Sequence, residues 1–189
     1  NVGKSTTVNK LLGEERVVTC NMPGTTRDTV RIPFSWNSRS YTLVDTAGIR
    51  RKTKISDLLE RFVVLKTLEI IKQSNVVILV LDGSQGITDQ DLHIASLVQS
   101  SGCALVVGVN KWDKINIHDK SIFKMSIGRK LRFLHWARIH FFSAIKGFGI
   151  KELMASVRNA YNAALTEIST SMLNSTLRQL TSRHPPPFR

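Results

Sequence analysis

Apolar residues recur along this chain in two rhythms. Val76–Leu81 and Ala104–Val109 are unbroken apolar runs of strand length, the pattern of strands covered on both faces. Arg31–Trp36 and Ser40–Val44 alternate instead, so each should keep one wet face. They flank Asn37-Ser38-Arg39 and together read as a hairpin. Ile139–Phe142 reads as one more short strand. The helical rhythm appears between these runs. Gly3–Leu12 reads as the start of a helix, and Ser56–Lys72 spaces Leu58, Leu59, Phe62, Val63 and Leu65 as an amphipathic helix would. Thr88–Val98 is predicted helical, and so is the basic stretch Ser121–Leu134. Ile150–Leu165 gathers Leu153, Met154, Val157, Ala160, Tyr161 and Ala164 on one side. Strands that alternate with helices predict an α/β sheet.

A boundary is expected near Thr166. Beyond it Ser169–Ser182 forms a separate helical pattern, stopped by His184-Pro185-Pro186-Pro187. The predicted units are therefore residues 1–165 and 166–189, the second incomplete.

Composition narrows the class. At 189 residues and 42% hydrophobic content the chain can bury one ordinary core. No apolar run approaches the roughly 18 residues of a membrane span. The opening residues carry no apolar signal region, and the first is Asn1 rather than Met, so the natural start is expected upstream. Cys20 and Cys103 stand in unrelated contexts, without disulfide or metal spacing, which points to a reducing, cytoplasmic compartment. His118, His135 and His140 read as surface or loop residues. The net charge of +13 and pI near 10.3 favour a polyanionic partner, nucleic acid or a ribonucleoprotein, over an inert basic surface.

Five short motifs carry chemistry. Asn1-Val2-Gly3-Lys4-Ser5 matches the end of the phosphate-binding pattern G-x-x-x-x-G-K-[ST]. Gly3 lets backbone approach phosphate, Lys4 neutralises the β- and γ-phosphates, and the Ser5 hydroxyl suits Mg²⁺. Val2 and Thr6 complete the loop and the helix start, whose N–H groups aim at the anion. Asp45-Thr46-Ala47-Gly48 follows a strand. Asp45 suits a position behind the metal's water, and Gly48 lets a backbone N–H reach the γ-phosphate.

Asn110-Lys111-Trp112-Asp113 is the specific signal. The Asp113 carboxylate can accept from N1–H and the 2-amino group of guanine, a donor pair that adenine lacks. Asn110 can bond the other side of the base, and the Lys111 stem can lie over the ring. Ser143-Ala144 follows the next strand, where a backbone N–H can meet guanine O6. Pro23-Gly24-Thr25-Thr26-Arg27-Asp28 offers a threonine to the metal when GTP is bound.

These motifs resemble the Era-like branch of the translation-factor-related GTPases. Asp45–Lys52, then Glu60-Arg61-Phe62, then Asn110-Lys111-Trp112-Asp113 are similar to the second GTPase domain of the bacterial Der (EngA) family. Ile168-Ser169-Thr170-Ser171 through Leu173-Asn174 to Arg183–Pro187 resembles the opening of that family's C-terminal KH-like domain.

The resemblance implies a three-layer α/β/α P-loop fold with a mostly parallel sheet and one antiparallel strand. It places the first, central strand and the first phosphate-loop glycine outside this span. It further implies GTP hydrolysis to GDP, an adjacent GTPase domain, and a role in assembly of the large ribosomal subunit with ribosomal RNA as partner. The metal-ligand threonine falls on Thr26, giving Ser5, Thr26 and Asp45 for Mg²⁺. Asn1 matches an asparagine that holds K⁺ in related GTPases.

Lys4, Thr26 and Gly48 would then stabilise the reaction. Where many GTPases place a water-orienting glutamine, this chain has Ile49, so slow intrinsic turnover is expected. A GTPase domain serving tRNA modification shares Thr25-Thr26-Arg27-Asp28, but the tail argues against it. Intact Lys4, Ser5, Asp45 and Asp113 argue against an RNA-binding module with vestigial nucleotide binding.

Overall fold

The computed structural model describes residues 2–14, 30–45, 65 and 67–183. The chain opens with helix α1 (Lys4–Glu14), followed by strands β1 (Val30–Trp36) and β2 (Arg39–Asp45). Residues 67–73 are helical. Strand β3 (Val76–Asp82), helix α2 (Asp89–Ser101) and strand β4 (Ala104–Asn110) come next. They lead to helix α3 (Ile117–Lys130), strand β5 (Arg138–Phe141), helix α4 (Ile150–Ala164) and helix α5 (Thr170–Arg183).

β1 and β2 pair antiparallel, with Trp36 opposite Arg39. The turn is therefore two residues, Asn37 and Ser38, and not the three expected from the sequence. Both have positive φ, 47° and 60°, the twist that lets a two-residue loop match right-handed strands. β3, β4 and β5 form a parallel sheet in that order. The register sets Val76 beside Ala104 and Asp82 beside Asn110.

The alternation along β4 explains the layers. Leu105, Val107 and Val109 face a cluster with Leu79, Leu81, Ala95, Val98 and Ile127, under α2 and α3. Val106 turns the other way, towards Phe142 just after β5, Ile150, Leu153 and Met154 of α4, and Leu11 of α1. Each buried aliphatic side chain of this kind contributes about 1.5–3 kcal/mol. Helices thus cover both faces of a parallel sheet, the three-layer α/β/α class expected. Gly108 has no side chain where a Cβ would lie 2.8 Å from Phe142, so the aromatic ring seats against the strand.

α2 begins at a reciprocal cap. Asp91 N–H donates to Thr88 Oγ1 at 3.2 Å, and Thr88 N–H donates back to Asp91 Oδ2 at 3.0 Å. α3 starts at Ile117, four residues before the expected Ser121, after Asn116 in extended conformation. It ends at Lys130, short of Leu134, and Arg132–Leu134 forms a separate tighter turn.

Among the described residues, the strands form two sheets rather than one. The outer edges of β2 and β3 border a cleft of about 1900 Å³. Leu43, Val44, Val77, Leu79, Val98 and Met154 are among the residues on its walls.

Candidate functional site

The strand ends of the parallel sheet carry the chemistry. β4 ends at Asn110, which is 3% exposed. Its Nδ2 donates to Val2 O at 3.0 Å, and its Oδ1 accepts the Ala144 N–H at 3.0 Å. One amide therefore joins the loop before α1 to the loop after β5. The sequence had offered Asn110 and the Ala144 N–H to the base; here they bond each other.

Gly3 lies against this amide. Its φ is +90°, and a Cβ there would fall 2.2 Å from Asn110 Nδ2. No other residue type fits that contact in that conformation. Gly3 O accepts the Thr7 N–H and the Thr7 hydroxyl, both at 2.9 Å, and so fixes the first turn of α1. The N–H groups of a first helical turn have no acceptor within the helix and point out of its end. Lys4, Ser5 and Thr6 form that turn, with the Ser5 and Thr6 side chains exposed. An anion is favoured there.

Lys111 takes a left-handed backbone, φ 61°, which turns the chain sharply off the strand. Its ammonium forms an ion pair with Asp82, the residue beside Asn110 at the end of β3. Asp82 also accepts from the Ser84 N–H at 2.9 Å and the Ser84 hydroxyl at 2.6 Å. Burial pushes the Asp82 carboxyl up, but the bonds from Lys111 and Ser84 outweigh it and hold the group below the usual carboxylate range.

Trp112 closes the loop into the core. Its N–H donates to Phe142 O at 3.1 Å, and its ring packs against Phe123 and Phe141. Lys120 and Lys124 of α3 lie over that ring at 5.5 and 5.9 Å. Asp113 stays exposed on the outer side of the turn. The Ser143 hydroxyl beside it, aided by Lys146 and Lys114, keeps its carboxyl below the ordinary value despite slight burial. Ser143 is buried, and its Oγ accepts the Lys146 N–H at 3.2 Å.

Gly3, Thr6, Asn110, Lys111, Asp113 and Ser143 line one shallow concavity. The fold therefore gathers the phosphate-loop and base motifs from residues far apart in sequence. Asn1, Thr26 and Gly48 lie outside the described residues, as does the basic run Arg50–Lys54. Asp45 ends β2, and its side chain is likewise outside them. His140, expected at the surface or in a loop, is instead a half-buried strand residue, its Nε2 2.7 Å from Ser156 Oγ. Burial lowers its pKa.

Sequence reasoning missed Asp82 as part of this site. An Asp followed by Gly at a strand end reads as a turn, and only the register with Asn110 brings it to Lys111.

A family model described as the 50S ribosome-binding GTPase matches residues 1–111. GTPase Der of Aromatoleum aromaticum is 52% identical over 99% of this chain and 42% of its own length. The chain therefore spans less than half of the curated relatives it matches. Among solved structures, Era in complex with MgGDPNP and nucleotides 1506-1542 of 16S ribosomal RNA is 27% identical, with a TM-score of 0.65. The match covers 89% of this chain and 55% of that one. Era of Aquifex aeolicus bound to GDP.AlF4- is 28% identical with the same TM-score of 0.65, and again 89% and 55% are covered. The family match over more than half the chain shows that this chain belongs to the 50S ribosome-binding GTPase family.

Proposed function

We propose that this domain binds guanine nucleotide and hydrolyses GTP to GDP and phosphate, as a switch in assembly of the large ribosomal subunit. One observation carries the nucleotide reading. Asp113, held ionised, shares a concavity with Gly3 at the N-terminal end of α1. The carboxylate suits a base with two adjacent donors, and the helix end suits phosphates.

Hydrolysis would be in-line attack of water on the γ-phosphate, with the protein positioning groups and balancing charge. Lys4 and the first-turn N–H groups of α1 supply positive potential where phosphate charge develops. The exposed Ser5 hydroxyl at the helix start fits a hard cation that prefers oxygen ligands, and with Thr26 and Asp45 it would hold Mg²⁺. When bound, that ion neutralises charge on the β- and γ-oxygens.

The ribosomal reading draws on the family's description and on the RNA bound by Era. The net charge of +13 supports it, since phosphate contact needs clustered cations and no base reading. Lys124, Arg129, Lys130, Arg132 and Arg138 on and after α3 supply such a cluster. In α5, Met172, Leu173, Leu177 and Leu180 are all exposed. That apolar face supports the reading of residues 166–189 as the opening of a further domain.

The test replaces one acceptor. Asp113→Asn swaps the carboxylate for a mixed amide, which suits xanthine. In the full-length protein, GTP affinity should fall by roughly a hundredfold or more while xanthosine triphosphate binding rises. A protein that binds no GTP, or prefers ATP, would leave the RNA-binding reading in its place.

A further inference from the structure

Asp82 belongs to none of the motifs that define the site, yet it is 2% exposed and ends β3 directly beside Asn110. Its two oxygens are divided. Oδ1 takes both bonds from Ser84, at 2.9 and 2.6 Å, and Oδ2 takes the Lys111 ammonium. Ser84 thus orients the carboxylate independently of Lys111. The Lys111 side chain stays 22% exposed, and it shares the wall of the concavity with Asp113.

We propose that Asp82 is a positioning residue of the nucleotide site, anchoring the Lys111 ammonium so that the lysine stem is fixed in advance as a wall for the base. The inference rests on the guanine reading of that site. A lysine side chain left free must be ordered when the base arrives, at the expense of binding. Pinned at its far end and turned by a left-handed backbone, the Lys111 stem is already ordered. Asp82 itself touches no nucleotide, so its effect must pass through Lys111. A carboxylate that served only the fold would act the same whether or not Lys111 carried its charge.

That difference sets the test, made in the full-length protein with fluorescently labelled GDP. Asp82→Asn should speed GDP dissociation by about tenfold, the scale of one charge-assisted bond. In turnover the loss should appear in KM for GTP rather than in kcat. Lys111→Met keeps the stem and removes the ammonium. In that background Asp82→Asn should change dissociation by less than about twofold, because the coupled partner is gone.

An equal loss in both backgrounds, or none in either, overturns the proposal. If Asp82→Asn does not fold, Ser84→Ala removes one bond to the same carboxylate and preserves the charge balance. It should speed dissociation a few-fold with Lys111 present and not with Met there; the same change in both would also overturn it. Asp113→Asn, run in parallel, separates the two readings. A shift to xanthine with a silent Asp82 sinks the anchor alone, whereas no shift removes the guanine site and the anchor with it.

Discussion

At the scale of single residues, the ends of two neighbouring strands decide most of the site. Asp82 and Asn110 sit side by side in the register; one fixes a lysine and the other joins two loops. The Asp82 carboxyl has its pKa depressed in the folded protein. Its contribution to stability is therefore fully present above the unfolded carboxylate value. It is lost as pH falls from there through the folded pKa. Melting temperature should hold down to about pH 4 and then drop, and Asp82→Asn should flatten the drop. A variant that kept the full acid transition would show that other carboxylates cause it.

That Asn110, Lys111, Asp113 and Ser143 lie close together was legible in the sequence, because each follows an apolar strand run of an α/β pattern that brings strand ends to one edge. The Asp82–Lys111 pairing was not, since no local pattern specifies which strand lies beside β4. The Asn110 bridge was equally hidden, because it depends on two loops meeting at one strand end.

At the scale of elements, periodicity carried the helices and strands well where apolar burial sets the pattern. β4 and α4 are the clear cases, each with one face or both in the core. It failed where polar residues set the boundary. The start of α3 at Ile117 follows Asn116 and a turn dominated by charge, with Ile117 81% exposed, so no apolar stripe announces it. The expected hairpin turn is one residue too long because Arg39 looks like a loop residue until its pairing with Trp36 is seen.

α2 shows what a local device contributes. Its capping pair is exposed and its removal leaves the core intact. Thr88→Ala should cost about 1 kcal/mol, read as a lower urea midpoint with an unchanged slope. A changed slope would mean that the cap affects more than its helix.

At the scale of the whole molecule, the cleft between β2 and β3 leaves two strand edges without backbone partners among the described residues. Such edges are templates for pairing with other chains. Residues 1–189 expressed alone should therefore melt low and self-associate. Light scattering and a thermal melt check this, and a monomer of ordinary stability would refute it.

The bridge at Asn110 has a different consequence, for the timing of synthesis. Val2 and Asn110 are 108 residues apart, and Ala144 lies 34 beyond. At about 5–20 residues per second, the segment before α1 waits on the order of ten seconds for the residues that fasten it. On the function proposed above, nucleotide cannot guide the early folding of the nascent chain. It can only reward a domain whose synthesis has already passed the end of the sheet.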